Sequence, residues 1–430
     1  MPRFTLRLNA AEETSPEVAA SSFYWLNDQR STFTPALGPG LEVLGPVTDL
    51  NIDVVHIAVT AFAADRSVPR EGRGSNWNQR SLELEIPVSD PGVWSPVGEE
   101  LASVLGFLSG DQWTLTFTAR QGPALGAAAA PGDAPQRVVL LSGGADSAIG
   151  GLHSRSLLTS GQTHTLLSHY SHTMLAPIQR HVADEIARLL PGPGQQHVVA
   201  HLGRRSQRID GTTYPTEPTS RSRSLLFLAL GLAVASAHAV PLWIPENGFA
   251  SLNPPLGPER LGSLSTRTTH PTFLRDLAGV LTKAGAHADI VNPFANDTKG
   301  EMYRHAVDLL GEQAASEFLS STHSCALTGQ RAHHISADKP CGVCFGCVLR
   351  RASFAASGVI DTTSYIAPSD NAAAQQWLDG KSVEQAVRNL IRRGVRPRDL
   401  TALSLPTDYP LRDAMDLCRR GVAELARLYP

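Results

Sequence analysis

Two clusters in this 430-residue sequence carry residue types at spacings that can do chemistry. The first is "VVLLSGGADSAIGGL", residues 138–152. An apolar run stops at Ser142-Gly143-Gly144, and Asp146 and Ser147 follow where a helix would begin. The first turn of a helix has free N–H groups and a partial positive charge. Glycines let that backbone approach a phosphate closely, and Ser142 and Ser147 can add hydroxyl donors. Asp146 would repel a phosphate unless a cation lay between them, so its natural task is to help hold Mg²⁺. A strand-to-helix turn capped by Asp146 or Ser147 uses the same residues and is the alternative.

The second cluster suits a metal. Cys325 is followed by Cys341, Cys344 and Cys347, the last three as C-x-x-C-x-x-C. Two-residue gaps let successive thiolates converge on one ion, and four thiolates satisfy tetrahedral Zn²⁺. A closed four-cysteine site leaves no position for water, so its role is structural: it would pin the helix "CVLRRASF" to the segment after Cys325, and metal loss would unfold both. The same spacing can ligate an iron–sulfur cluster. His323, His333 and His334 lie nearby and read as loop histidines. Cys418 stands alone in a predicted C-terminal helix and reads as buried packing. Cysteines gathered in one short window indicate metal in a reducing compartment rather than a disulfide framework.

The elements that must position these groups differ along the chain. Residues 1–122 read as β-rich: "FTLRLNA", "SLELEIPV" and "WTLTFTA" alternate apolar and polar residues with period two, as half-buried strands do. "PVGEELASVLGFLSG" reads as a single helix covering one sheet face. Residues 123–136, within a Gly-, Ala- and Pro-rich stretch, read as a linker. From 137 to 365 short apolar runs alternate with helical stretches, which means βαβ units on a doubly wound parallel sheet. The region 366–430 reads as helical; Val383, Ala386, Val387, Leu390 and Ile391 fall on one helical face.

With its strand–loop–helix context, S-G-G-x-D-S resembles the pyrophosphate loop of the PP-loop ATP pyrophosphatases. The resemblance implies cleavage of ATP between its α- and β-phosphates, with AMP passing to a substrate oxygen. Ser142, Gly143, Gly144, Asp146 and Ser147 would then bind the leaving pyrophosphate. Three further motifs narrow it. "THSC" and "KPCGVCFGCVLRR" are similar to the T-x-S-C and P-C-G-x-C-x-x-C-x-L-R segments of the zinc module of QueC-like enzymes, the 7-cyano-7-deazaguanine synthases. "NDTKGEMYRHAVDLLG" resembles the family's T-K-x-E helix, and "SRSLLFLALG" its R-N-x-x-F helix, with Arg223 at the arginine position. The four motifs span roughly residues 137–360, in the family's order. They imply ATP, Mg²⁺ and Zn²⁺ as cofactors, a 7-deazaguanine-type carboxylate as substrate, and Asp146, Arg223 and Lys299 as catalytic. Either cation would carry charge for the phosphates or the developing adenylate. A solvated position near a helix start is the alternative for both.

One segment departs from the housekeeping pattern. Residues 245–271, "PENGFASLNPPLGPERLGSLSTRTTHP", stand where those enzymes have an N-x-x-D-Y-S-G-Y-P-D-C-R-like stretch. This segment and the N-terminal extension resemble the QueC-like component of Qat anti-phage defence operons, with a related branch in CBASS operons. That implies other defence-operon proteins as partners, one of them a possible protein substrate. Physically, the segment follows the C-terminal end of a parallel strand, where α/β ligands bind. Glu246 and Asn247 could meet a purine-like edge, and Arg267 a carboxylate. Thr269 and His270 lie just before a helix; His270 is a proton carrier or a helix-start hydrogen-bonding group. So long an irregular segment in a compact domain is more often functional or disordered than filler; a Pro- and Gly-rich surface loop is the alternative.

Composition sets the outer limits. Hydrophobic residues make up 42% and the formal net charge is −3, which argues against a nucleic-acid-coating surface. No run approaches the roughly 20 apolar residues of a membrane helix, and "MPRFTLRLNAAEET" lacks a signal-peptide core. The expectation is a cytoplasmic adenylate-forming C–N ligase. The alternatives are a housekeeping synthase, a tRNA-modifying PP-loop enzyme and a non-catalytic defence scaffold.

Overall fold

The computed structural model describes residues 1–10, 15–34, 37–70, 79–121, 134–170, 174–217, 221–256, 267–328 and 339–430. The linker expected over 123–136 lies mostly outside these residues, as do His333 and His334.

The first 120 residues give β1 (Arg3–Arg7), α1 (Pro16–Ala20), β2 (Ser22–Tyr24), α2 (Asp49–Ser67), β3 (Ser81–Val88), α3 (Pro91–Trp94), α4 (Gly98–Ser109) and β4 (Gln112–Ala119). The strands form one sheet in the order β2-β1-β3-β4, with every neighbouring pair parallel. The three strands and the helix read from periodicity are β1, β3, β4 and α4. The second long helix, α2, is an addition. Only Asp49, Leu50 and Arg66 of α2 escape burial, so it has no polar stripe for a period to reveal.

The rest of the chain follows the βαβ expectation. It runs β5 (Val138–Leu140), α5 (Ala145–Ser156), β6 (Thr163–His169), α6 (Leu175–Leu189), β7 (Gly194–Ala200), α7 (Arg223–Ser236), β8 (Leu242–Trp243), α8 (Gly248–Leu252), α9 (Pro271–Lys283), β9 (Ile290–Val291), α10 (Lys299–Leu310), α11 (Glu312–Ser321) and α12 (Phe345–Ser357). Helices α13 (Ala372–Lys381), α14 (Glu384–Arg393), α15 (Pro397–Thr401) and α16 (Leu411–Leu428) complete it. The second sheet is parallel throughout, in the order β7-β6-β5-β8-β9. Strands β5 and β6 are buried along their whole length, and β5 accordingly reads as an unbroken apolar run. The chain leaves β5 toward β6 and β7, then returns to add β8 and β9 on the other side. This reversal opens a crevice beyond the C-terminal ends of β5 and β8, the place where doubly wound sheets bind ligands.

The N-terminal sheet docks on the second sheet through α2 and α7. One apolar cluster takes in Phe4, Val55, Leu84, Leu225 and Leu242. A buried charge network pins the same seam. Asp65 accepts from Arg80 Nη2 (2.5 Å), Arg70 Nη2 (3.1 Å), Arg221 N (2.8 Å), Ser222 N (3.0 Å) and Ser222 Oγ (2.8 Å). Burial works against the Asp65 charge, but Arg80 and the Ser222 donor outweigh it and hold the pKa below its usual range. Asp65→Ala is expected to destabilise the protein by about 3–5 kcal/mol, because buried Arg80 and Arg70 each lose one of their two carboxylate partners; chemical denaturation measures this. The sign in pH follows from a depressed carboxylate. Its contribution is complete above the unfolded value of ~3.9. It is lost as pH falls through the lower native value.

Candidate active site

The Ser-Gly-Gly loop leaves β5 at the crevice and turns into α5. Gly143 has φ of +88°, a left-handed conformation that other residues adopt at a cost. Gly144 caps α5. The two serines brace the loop from within. Ser147 Oγ accepts from Ser142 N (3.1 Å) and lies 3.0 Å from Ser142 Oγ. Gln179 of α6, which the sequence reading did not single out, donates to Ser142 O (3.3 Å) and His169 O (3.1 Å), tying the ends of β5 and β6 together.

Asp146, in the first turn of α5, is the centre of a buried polar cluster. Lys299 Nζ, from the start of α10, lies 2.5 Å from its Oδ1. Asn247 Nδ2, from the cap of α8, donates to Asp146 Oδ2 (2.9 Å) and to Glu246 Oε1 (3.0 Å). Asn292, after β9, holds the Glu246 backbone through Asn292 Nδ2 to Glu246 O (2.8 Å). Four predicted residues from three separate elements thus converge at the end of β5 and β8. Burial alone would raise the Asp146 pKa, but the Lys299 ammonium, with hydrogen bonds from Glu246, Lys299 and Asn247, brings it down to about 2. Glu246 moves the other way. Burial and the Asp146 charge beside it push its pKa well above the ordinary value, with Lys299 opposing only in part. The pair is thus driven apart, Asp146 toward the ionised form and Glu246 toward the protonated one.

The cysteines converge as their spacing requires. The sulfurs of Cys325, Cys341, Cys344 and Cys347 all lie within 4.8 Å of one another, and Cys341 Sγ is 3.8 Å from Cys347 Sγ. A tetrahedron with Zn–S bonds of about 2.3 Å has edges of about 3.8 Å, so the set fits one four-coordinate ion. Thiolates of an iron–sulfur cluster sit on separate irons, further apart. The cluster could hold zinc. Cys418 is buried among the apolar side chains of α14 and α16, as expected.

This module also braces the Ser-Gly-Gly loop, which the sequence did not reveal. Ser324 precedes Cys325, and Ala145 N donates to Ser324 Oγ (3.3 Å). His323 N donates to Gly143 O (2.8 Å). Gly346, between two of the cysteines, permits this approach: a Cβ there would fall 2.5 Å from Ser324 O. Fully buried Arg350 fixes the same segment, donating to Thr322 Oγ1 (2.6 Å) and Leu319 O (2.7 Å). The only sequence hint was the adjacency of Ser324 to a ligand cysteine.

The remaining predicted residues lie elsewhere. Arg223 opens α7, near His169 at the end of β6 and near Arg66 of α2. It is on the same sheet edge but in a different corner from Lys299. Arg267 stacks on Phe107 of α4, 4.4 Å from the ring centroid, and donates to Phe107 O (3.2 Å). Thr269 Oγ1 accepts from Ser251 Oγ of α8 (3.1 Å). His270 caps α9: its Nδ1 accepts from Thr272 N (3.2 Å) and its Nε2 donates to Leu403 O (2.7 Å). Burial drives its pKa down to about 4, so both ring nitrogens are committed to backbone partners in the neutral form. The 245–271 segment thus begins in the site and ends against α4 and α15; residues 257–266 lie outside the described set.

A parallel sheet wound about a switch point, a Ser-Gly-Gly loop on its central strand and a four-cysteine module together define a PP-loop fold. No family model matches the sequence. The chain is 30% identical over 250 residues to the 7-cyano-7-deazaguanine synthase of Cupriavidus necator, a match covering 53% of this chain and 96% of that protein. The namesake from Cupriavidus taiwanensis is 29% identical over 245 residues, with the same coverage of both chains. The chain belongs to the 7-cyano-7-deazaguanine synthase family, a family of enzymes. Among the described residues no helix is long and apolar enough to cross a membrane.

Proposed function

We propose that this chain is an ATP-dependent ligase that activates a 7-carboxy-7-deazaguanine-like carboxylate as its adenylate. The observation that carries the reading is the Asp146–Lys299–Asn247–Glu246 cluster at the mouth of the Ser-Gly-Gly loop. A carboxylate is a poor electrophile. Its oxygen attacks the α-phosphorus, the bond to the β-phosphate oxygen breaks, and pyrophosphate leaves into the loop formed by Ser142, Gly143, Gly144 and Ser147. An amine then attacks the acyl carbon and AMP departs with the bonding electrons. Lys299 supplies positive charge beside the phosphates, and Arg223 does so from the α7 corner. Glu246 would face a purine-like edge, while Asn247, whose two amide hydrogens go to Asp146 and Glu246, holds Glu246 in place. Mg²⁺ bound with ATP would share the phosphate charge at Asp146. Zn²⁺ in the cysteine cluster is structural, and the reaction belongs in the cytoplasm, where ATP is drawn on.

The finer reading concerns the amine. Ammonia would give an amide, and a second ATP a nitrile. The relatives cover only 53% of this chain, and the surface beyond them favours a role in anti-phage defence, with a partner protein's N-terminus as the acceptor. Purified protein incubated with Mg-ATP and 7-carboxy-7-deazaguanine, with ammonium or neighbouring operon proteins, tests both levels. AMP formation that depends on the deazaguanine supports the activity, and product masses separate amide, nitrile and protein adduct. AMP that depends on tRNA instead would move the chain to the tRNA-modifying branch. No AMP under any condition would leave a scaffold.

Gly143→Ala is expected to weaken ATP binding about 5- to 30-fold, equivalent to ~1–2 kcal/mol for forcing a side chain into the left-handed region. The added Cβ would only touch Gln179 Cγ and Ile178 Cγ2, each 3.4 Å away, so the backbone conformation carries the cost. Titration calorimetry with ATP measures it.

A further inference from the structure

The cation of the site is held from the opposite end of the sequence. Helix α10 starts at Lys299, and the residues on either side of it are tied to α16. Glu424 is 7% exposed. Its Oε1 accepts from Thr298 Oγ1, and its Oε2 accepts from Gly300 N at 3.0 Å. Arg420, one turn earlier, pairs with Glu301 and donates to Asn296 O (3.0 Å). The same face of α16 reaches α8, whose cap is Asn247. A Cβ on Gly248 would lie 2.7 Å from Leu417 Cδ2, and one on Gly421 would lie 2.3 Å from the Phe249 ring. Residues 417, 420, 421 and 424 form one helical stripe. That stripe touches both elements that deliver side chains to Asp146.

Helix capping alone does not call for Glu424. Thr298 already has its partner in Glu301: Glu301 N donates to Thr298 Oγ1 (3.3 Å), and Thr298 N to Glu301 Oε2 (2.8 Å). A buried carboxylate is costly, and apolar packing would close the same helix contact without it. What the carboxylate adds is a fixed backbone on both sides of Lys299, and hence a fixed direction for its side chain toward Asp146. Gly300 allows the approach, since a Cβ there would fall 2.4 Å from Glu424 Oε1.

We propose that Glu424 is a positioning residue for Lys299, which makes α16 part of the active-site frame. The catalytic consequence rests on the adenylate-forming reading above; the structural one does not.

The test uses full-length Glu424→Gln, which removes the charge and keeps the shape. Gly300→Ala displaces the carboxylate without removing it. Destabilised Asp65→Ala, far from Lys299, is the control. Three quantities are read: deazaguanine-dependent AMP formation, the rate at which an amine-reactive reagent labels Lys299 by peptide mass spectrometry, and the melting temperature. Both site variants are expected to lower kcat about tenfold, to leave KM for ATP within about twofold, and to speed Lys299 labelling; Asp65→Ala should leave that labelling unchanged. Glu424→Asp should recover part of kcat. If Glu424→Gln only lowers the melting temperature, with kcat and labelling unchanged in the folded protein, the proposal is wrong. It is equally wrong if Asp65→Ala accelerates labelling as much. Should the wild type form no AMP, the functional reading fails, and labelling alone still decides the positioning role.

Discussion

Asp146→Asn is expected to lower deazaguanine-dependent AMP formation by about 10²–10³-fold, the range seen when one preorganised charge-stabilising group is removed. Asparagine nearly keeps the shape and can still meet Asn247. It cannot balance Lys299, whose ammonium sits 2.5 Å from the carboxylate with both side chains almost fully buried. The unpaired cation adds a stability cost of about 3–5 kcal/mol. It would also turn toward any phosphate it can reach, so ATP could bind well and react poorly. The variant should therefore show a larger loss in kcat than in KM for ATP, with a melting temperature lowered but still cooperative. Chromatographic AMP assays and thermal unfolding measure both. Unchanged kcat would remove Asp146 from the chemistry and leave it a structural partner of Lys299.

Metal removal should have the second large effect. Chelation, or Cys344→Ser, is expected to lower the melting temperature by about 10 °C or more and to abolish ATP binding. Structural zinc contributes about 10–16 kcal/mol in small zinc-folded peptides, comparable with the 5–15 kcal/mol that holds a typical domain together. Even a fraction of that produces the expected shift. The coupling to ATP is geometric. Cys325 fixes Ser324 and His323, and these hold Ala145 N and Gly143 O of the Ser-Gly-Gly loop. Metal content by elemental analysis, unfolding curves and ATP affinity should fall together as chelator is added. A metal-free protein with native ATP affinity would break the link.

Much of this site was legible in sequence because local chemistry announced it. The Ser-Gly-Gly turn follows a strand buried on both faces, and the cysteines carry their geometry in their spacing. Lys299 was singled out from its motif, but its pairing with Asp146 needs β8 and β9 added beside β5. The partners that brace the loop were not legible, because they are set by topology. Ser324 reaches Ala145 only through the cysteine module, and Gln179 looks like any polar residue of an amphipathic helix. Arg267 was read as a carboxylate partner, and His270 as a proton carrier or a helix-start group, from their neighbourhood in the chain. Their partners, Phe107 and Leu403, come from regions no local pattern connects. Helix α2 was hidden for the opposite reason, since burial on almost every side erases the periodicity that marks a surface helix.

The reach from Asp146 to Glu424 has a consequence for synthesis in the cell. The two are 278 residues apart, by subtraction of their numbers. At about 5–20 residues per second, the ribosome needs roughly 15–55 s to travel that far. For the first 153 residues of that stretch, up to Lys299, the nascent chain exposes a glycine-rich turn and an aspartate with no lysine beside it. The lysine comes before its brace, so a polypeptide halted before α16 would carry the reacting groups in an unfinished frame. On the proposed adenylate-forming reading, an open pocket would release a reactive intermediate, and a frame completed last would keep that chemistry silent until α16 is made.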